Sequence, residues 1–294
     1  MRYIDLSLIL GDPHARPAIE AAERARADVS AEPDPVRRKE LVARHQPTWV
    51  AFREHFERIY GEKCWYTESV NAGNDDDVDH FRPKGRVQED DTHGGYWWEA
   101  LNWRNLRLSC PRANRLRRNA EAGETHGKGD HFPLIDDAER WRDPALPCRE
   151  RPLLLDPTKP RDPTFITFDI NGKVALAPRY ENDAVARARF IASRKYLHLD
   201  WRSIRGQRQL LHADIVKRID DGVMARQALG RGDPGARDSL DRIIGSLIAL
   251  TDDRQPYSKA AQAYIRRYRF HDWIEDEVLP HILPTEPAID GLAA

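Results

Sequence analysis

The chain has 294 residues, 40% apolar and 32% charged, with a mean hydropathy of −0.73, enough for a real core in one large or two modest domains. Its 47 Lys and Arg nearly cancel 48 Asp and Glu, leaving a net charge of −1; this excludes a uniformly basic nucleic-acid coat, so a polyanion site must be local or completed by a partner. No apolar run reaches the ~20 residues of a membrane helix, Asp5 is an acid where a signal peptide would be apolar, and three cysteines build no disulfide framework, a combination that predicts a cytoplasmic protein without a membrane partner.

Helices are expected over 16–27 and 34–59, broken by Glu32-Pro33-Asp34-Pro35. In the second, Leu41, Trp49, Phe52, Phe56 and Ile59 recur near helical spacing and read as a buried stripe, with Pro47 kinking or dividing the helix. The stretch 61–134 has shorter segments and holds Cys64, Cys110 and four of the eight tryptophans, namely Trp65, Trp97, Trp98 and Trp103. Within it, Val78-Asp79-His80-Phe81-Arg82-Pro83-Lys84 reads as a strand end stopped by Pro83. Residues 105–108 alternate with period two and read as a second strand. Pro111 suits the first turn of a helix capped by Ser109 or Cys110. Further on, Asn171-Gly172 between Phe165-Ile166-Thr167-Phe168 and Lys173-Val174-Ala175-Leu176 is a type I′ hairpin signal. From 182 to 281 the pattern is helical again. Tyr196, Leu197, Leu199, Leu210, Leu211, Ile215 and Ile219 supply one apolar run, and Leu240, Ile243, Ile244, Leu247 and Leu250 another. The expectation is an α+β protein in three regions: helices over 1–60, a mixed centre with a β-hairpin over 61–180, and helices over 181–294.

Strand, loop, strand and helix would bring Asp79 and His80 opposite the first turn of the helix that carries Asn114. A carboxylate and an amide oxygen are hard ligands suited to a Mg²⁺-class ion, and an imidazole beside them can take a proton from water. Phosphodiester hydrolysis needs little more. Alone, an Asp-His pair is more often a surface turn or a satisfied structural histidine, Asn114 a polar helix-face residue and Asn105 a turn residue. The ordered combination is what points to chemistry. Asp75-Asp76-Asp77 reads as a solvated acidic loop and is not taken as a ligand set.

The combination resembles the HNH endonucleases, whose ββα-metal module reads Asp-His, then Asn-Leu, then a helix opening at Cys-x-x-Cys-Asn. More narrowly, Lys63-Cys64-Trp65-Tyr66-Thr67-Glu68, the Val78–Lys84 string, Tyr96-Trp97-Trp98 and Asn105-Leu106-Arg107-Leu108-Ser109-Cys110 are similar to defence-associated HNH proteins of the PtuB (Septu) and retron-linked type. Lys128-Gly129, Phe132-Pro133-Leu134 and Leu153-Leu154-Leu155-Asp156-Pro157 extend the likeness, which covers about 63–178. The resemblance implies a small ββα-metal HNH core flanked by N- and C-terminal helices. It makes His80 the general base, Asp79 and Asn114 ligands of Mg²⁺ or Mn²⁺, and Asn105 the residue bracing the catalytic loop, with Arg82 and Lys84 near the substrate phosphates. It also implies an effector of anti-phage defence that cuts nucleic acid, DNA more than RNA, under a partner, commonly an ATPase.

Members of that family usually hold a structural Zn²⁺ between two Cys-x-x-Cys knuckles. Here Cys64 pairs with Thr67 and Cys110 with Ala113, so the knuckles are degenerate. Two thiolates do not close a tetrahedral site, and Cys148, His93, His126 or His131 could at best patch it; no structural zinc is expected, with buried tryptophans offsetting its loss. Between 101 and 119 there are six arginines and no acid. Arg112, Arg115 and Arg118, at i, i+3 and i+6, are expected to line one helix face and meet phosphates. The leading expectation is a metal-dependent HNH endonuclease. Its rivals are a degenerate HNH-fold subunit that binds nucleic acid or assembles with a partner, and a helical scaffold in which the Asp-His pair is accidental.

Overall fold

The computed structural model describes residues 1–71, 73, 75–119, 121 and 123–282. Helix α1 spans Arg16–Ala31 and buries Ile19, Ala22, Ala25 and Val29 at helical spacing. The Asp34 carboxylate accepts from the N–H groups of Val36 and Arg37 at 2.8 and 3.0 Å and so opens α2, Pro35–Arg44. The helix expected over 34–59 is three pieces: α2, then α3 (Gln46–Val50) and α4 (Phe52–Tyr60). Pro47 has no N–H for the ladder, and the axis breaks just before it. Trp49, Phe52, Phe56 and Tyr60 are buried, with Leu41 and Ile59 half-buried at the margin. They share one core with Trp65, Trp103, Leu106 and Leu108 from the centre of the chain.

In that centre, β1 (Asp77–His80) pairs antiparallel with β2 (Leu106–Ser109), with Val78 opposite Leu108 and His80 opposite Leu106. Cys110 leads into α5, Pro111–Asn114, a single turn. Two more antiparallel pairs follow: β3 (Arg117–Asn119) with β4 (Glu124–His126), and β5 (Ile166–Phe168) with β6 (Val174–Leu176).

Two expectations are corrected here. The shortness of α5 means that Arg112, Arg115 and Arg118 do not line one helix face. Lys128 and Gly129 donate their N–H groups to the Ala113 and Asn114 carbonyls at 2.8 and 2.6 Å, Arg115 turns extended, and Arg118 lies on β3. The β5–β6 hairpin exists, yet its turn is not type I′. Only Gly172 takes a positive φ, 73°, while the Asp169 carboxylate accepts from the N–H groups of Asn171 and Lys173, both at 2.9 Å. A Cβ on Gly172 would fall 2.4 Å from the Arg205 carbonyl oxygen, so glycine is required on spatial grounds as well.

The C-terminal part holds α6 (Ala184–Tyr196), α7 (Arg202–Gly230), α8 (Ala236–Ala249) and α9 (Ser258–Ile265). Ile215 and Ile219 of α7 and Leu240, Ile244 and Leu247 of α8 are buried together, whereas Leu210 is exposed. This second core also takes in Cys64, Tyr66, Cys110 and Ala113. The β1–β2–α5 unit is therefore clamped between two cores, one from each flank. Buried Arg208 of α7 strengthens the clamp by donating to the carbonyls of Leu199 (2.8 Å) and Thr67 (3.3 Å). Among the described residues, no helix is long and apolar enough to cross a membrane.

Candidate functional site

His80 ends β1 and is 5% exposed. Its Nε2 lies 2.8 Å from the Ala100 carbonyl oxygen. A carbonyl can only accept, so Nε2 carries the ring proton and Nδ1 keeps a lone pair. The Trp49 ring stands edge-on to the imidazole, centroids 5.1 Å apart. Lys84 Nζ lies 3.5 Å from Nδ1 and 5.0 Å from the Trp49 ring centroid. Burial first, and the Lys84 charge second, push His80 well below its ordinary value of 6.5, against the hydrogen bond to Ala100. The imidazole is thus neutral near pH 7, with Nδ1 as the atom able to take a proton.

Asp79 is 4% exposed and fully engaged. Its Oδ2 accepts from the Tyr66 hydroxyl at 2.7 Å, and its Oδ1 from Lys128 Nζ at 2.8 Å. The same ammonium donates to the His80 carbonyl at 2.5 Å. Lys128 reaches this spot because its own N–H is docked on the end of α5. Tyr66 does so because Trp65 N–H bonds to Leu108 O of β2 at 2.9 Å.

Asn105 sits in the turn before β2, and both ends of its amide meet Arg82. Oδ1 accepts from Arg82 N–H at 2.8 Å, and Nδ2 donates to Arg82 O at 3.0 Å and to Glu99 O at 3.2 Å. With Phe81 N–H on Asn105 O at 2.8 Å, the loop after His80 is tied down residue by residue.

The remaining expected site residues are dispersed. Asn114 donates from Nδ2 to Asp77 Oδ2 at 3.0 Å, and Arg115 grips the same carboxylate at 2.8 and 3.1 Å. The acidic run is consequently not simply a solvated loop. Asp77 braces α5, and Asp76 is buried, its carboxyl pushed up to about 8 by burial and then by Cys64 and Glu57. Arg82 turns to Glu150 at 2.8 Å and to Cys148. Arg112 lies over Trp201, 4.3 Å from the ring centroid, and Arg118 is exposed on β3. Of the expected basic residues, the described geometry brings only Lys84 to His80.

The residues that sequence reasoning missed at this site are Lys128, Tyr66, Asp77 and Trp49. Lys128-Gly129 and Tyr66 stood inside the strings that carried the resemblance but had no role there, and Trp49 stood in the apolar stripe.

Asp79 and Asn114 do not, as placed, fit a bound Mg²⁺ or Mn²⁺. Both Asp79 oxygens are occupied, one by a cation, and the Asn114 amide turns its NH₂ to Asp77. Among the described residues, no three His, Cys, Asp or Glu side chains converge as a metal-holding group. Cys64 and Cys110 are buried side by side, and Cys148 is elsewhere, exposed beside Arg82 and Glu150. His93 bonds to Trp141 O and Gly95 N–H, and His131 to Glu89.

The fold and site therefore define a mixed α/β protein, helical at both flanks, with a buried Asp-His pair at the end of a two-stranded sheet. Over 205 residues, 66% of this chain and 64% of the relative, the sequence is 26% identical to a Septu protein PtuB of Bacillus mycoides (strain KBAB4). The match spans just under two thirds of that relative's own length. No family model matches the chain, and no solved structure does.

Proposed function

We propose that this chain is a PtuB-like protein of an anti-phage defence system, and that the site at His80 hydrolyses phosphodiester bonds of nucleic acid, DNA before RNA. In this reading β1, β2 and α5 are the ββα unit of an HNH-type endonuclease within 61–180. The helices of 1–60 and 181–294 buttress it and offer surface to a controlling partner, an ATPase by analogy with the family it resembles. The observation that carries the reading is the tautomer of His80. Nε2–H is spent on the Ala100 carbonyl, and Nδ1 is a neutral base beside Lys84.

The chain's own groups supply these steps. His80 Nδ1 takes a proton from the attacking water. Lys84 offers positive charge to a phosphate oxygen where water is largely excluded, so that charge counts for more than in bulk solvent. Asn105 holds the loop that presents these groups.

A second reading has its own support. Lys128 lying on Asp79 favours a catalytically degenerate subunit that binds nucleic acid or assembles with a partner. One experiment separates the two: cleavage of supercoiled plasmid, single-stranded DNA and RNA by wild type and His80→Ala, with and without Mg²⁺ or Mn²⁺. The nuclease reading expects cutting that falls at least ~100-fold in His80→Ala. Requirement for the metal would mean that Lys128 leaves Asp79 in the working state. Undiminished cutting by His80→Ala sinks the assignment, and no cutting even with the genomic neighbours supports the degenerate subunit.

A further inference from the structure

Asp79 is held by an internal cation. Lys128 is 0% exposed, and its ammonium lies 2.8 Å from Asp79 Oδ1 and 2.5 Å from the His80 carbonyl oxygen. A carboxylate and a backbone carbonyl are the hard oxygens that a Mg²⁺-class ion takes, at about 2.1 Å from each. Here both are taken by an ammonium, in charge-assisted bonds made out of reach of water. The other Asp79 oxygen accepts from the Tyr66 hydroxyl at 2.7 Å. A metal ion on the side of Oδ1 that Lys128 covers would be pressed against a like charge, so the two do not share it.

The backbone delivers Lys128 to this spot. The residue stands between two glycines, Gly127 and Gly129. Gly127 takes a φ of 106°, and a Cβ there would collide with the Arg115 carbonyl, so only glycine lets the chain pass this close to the end of α5. Lys128 N–H then bonds to Ala113 O, and Gly129 N–H to Asn114 O. With its backbone docked on α5 and its ammonium on β1, Lys128 bridges the two elements that carry Asn114 and Asp79. Asn114 itself is turned aside, its NH₂ on Asp77 at 3.0 Å. The result is a closed ion pair in which each buried charge is matched by the other.

We propose that Lys128 is a built-in cation that takes the place of a divalent metal at Asp79. The chain as folded then binds no Mg²⁺ or Mn²⁺ there, and Asp79 Oδ1 with the His80 carbonyl becomes a divalent-cation site only when the ammonium is removed. A metal entering the folded chain would first have to expel a buried ammonium from two oxygen partners, a cost that an open site does not carry. This inference concerns what Asp79 holds, and it stands apart from whether His80 cuts nucleic acid.

The test uses the full chain, with Mn²⁺ alone as the probe and the electron paramagnetic resonance signal of free Mn²⁺ as the readout. Wild type is compared with Lys128→Met, which keeps an apolar stem and removes the charge, and each is paired with a version carrying Asp79→Asn. That pairing subtracts Mn²⁺ held by exposed carboxylates. Lys128→Met should bind one Mn²⁺ per chain at least ~10-fold more tightly than wild type, and Asp79→Asn should abolish the gain. Mn²⁺ should also raise the melting temperature of Lys128→Met and leave that of wild type unchanged. A second measurement needs no variant. An amine-acylating reagent should label exposed Lys159 and Lys217 of the native wild type but spare Lys128, equally with and without Mn²⁺. If Lys128→Met does not fold, the wild-type titration and the acylation decide. Asp79-dependent Mn²⁺ binding by wild type as tight as by Lys128→Met, no gain in a folded Lys128→Met, or acylation of Lys128 once Mn²⁺ is added would each overturn the proposal.

Discussion

Asn105 shows how much one buried amide can fix. Arg82 N–H, Arg82 O and Glu99 O all end on its side chain, so truncation leaves buried backbone groups without partners. Asn105→Ala should cost roughly 2 kcal/mol in stability. Asn105→Asp should be no better, because a carboxylate keeps the acceptor for Arg82 N–H but cannot donate to two carbonyls. Thermal melts of the three proteins check this, and an aspartate variant as stable as wild type would refute it. Asn105 was legible in sequence only through the Asn-Leu of a resemblance. Lys128 was legible as a string without a role, since its contact with Asp79 spans 49 positions and exists only once its backbone has docked on α5. Periodicity has no access to such a contact.

Among elements, the long amphipathic helices were the most readable, because their buried faces follow directly from residue spacing. Expectation failed where a local rule met a tertiary partner. The arginine spacing after Pro111 assumed a helix that Lys128 and Gly129 terminate by taking its carbonyls, and the Asn171-Gly172 turn is reset by the Asp169 side chain. The buried tryptophans of the central region divide between two cores, with Trp97 packed against both. Trp65 and Trp103 belong to the N-terminal core, whereas Trp98 packs with Tyr96 and Trp141. Trp103 is 3% exposed at the junction of β2 with the N-terminal helices. Trp97 is half-buried under the Arg38 guanidinium, 4.0 Å from its ring centroid. Trp103→Ala should therefore cost roughly 3–5 kcal/mol, and Trp97→Ala distinctly less. Calorimetric melting of the two variants measures the difference, and equal losses would contradict the burial argument.

At the scale of the whole molecule, the three regions expected from sequence meet at one buried carboxylate. Glu68 is 1% exposed. It bonds to the Met1 ammonium at 3.1 Å, to Lys63 Nζ at 3.4 Å and to Ser258 Oγ of α9 at 3.0 Å. Burial by itself would raise its pKa, but the Met1 ammonium, Lys63 and Arg2 outweigh burial and hold it far below the ordinary 4.5. A carboxylate depressed in the folded state stabilises that state above its unfolded value, and the contribution drains away as pH falls below about 4.5. Stability should accordingly drop below pH 4.5, and Glu68→Gln should flatten that drop while losing roughly 3 kcal/mol at pH 7, where it leaves the buried Lys63 ammonium without its partner. The cluster joins the chain start, the centre and α9, so its loss should loosen them together. Acid unfolding followed by tryptophan fluorescence, which reports mainly the N-terminal core and centre, and by far-ultraviolet circular dichroism, which reports the helices, should then give coincident transitions. Separate transitions, or an acid limb unchanged in Glu68→Gln, would mean that the flanking helices are held to the centre by their two apolar cores rather than by this charge.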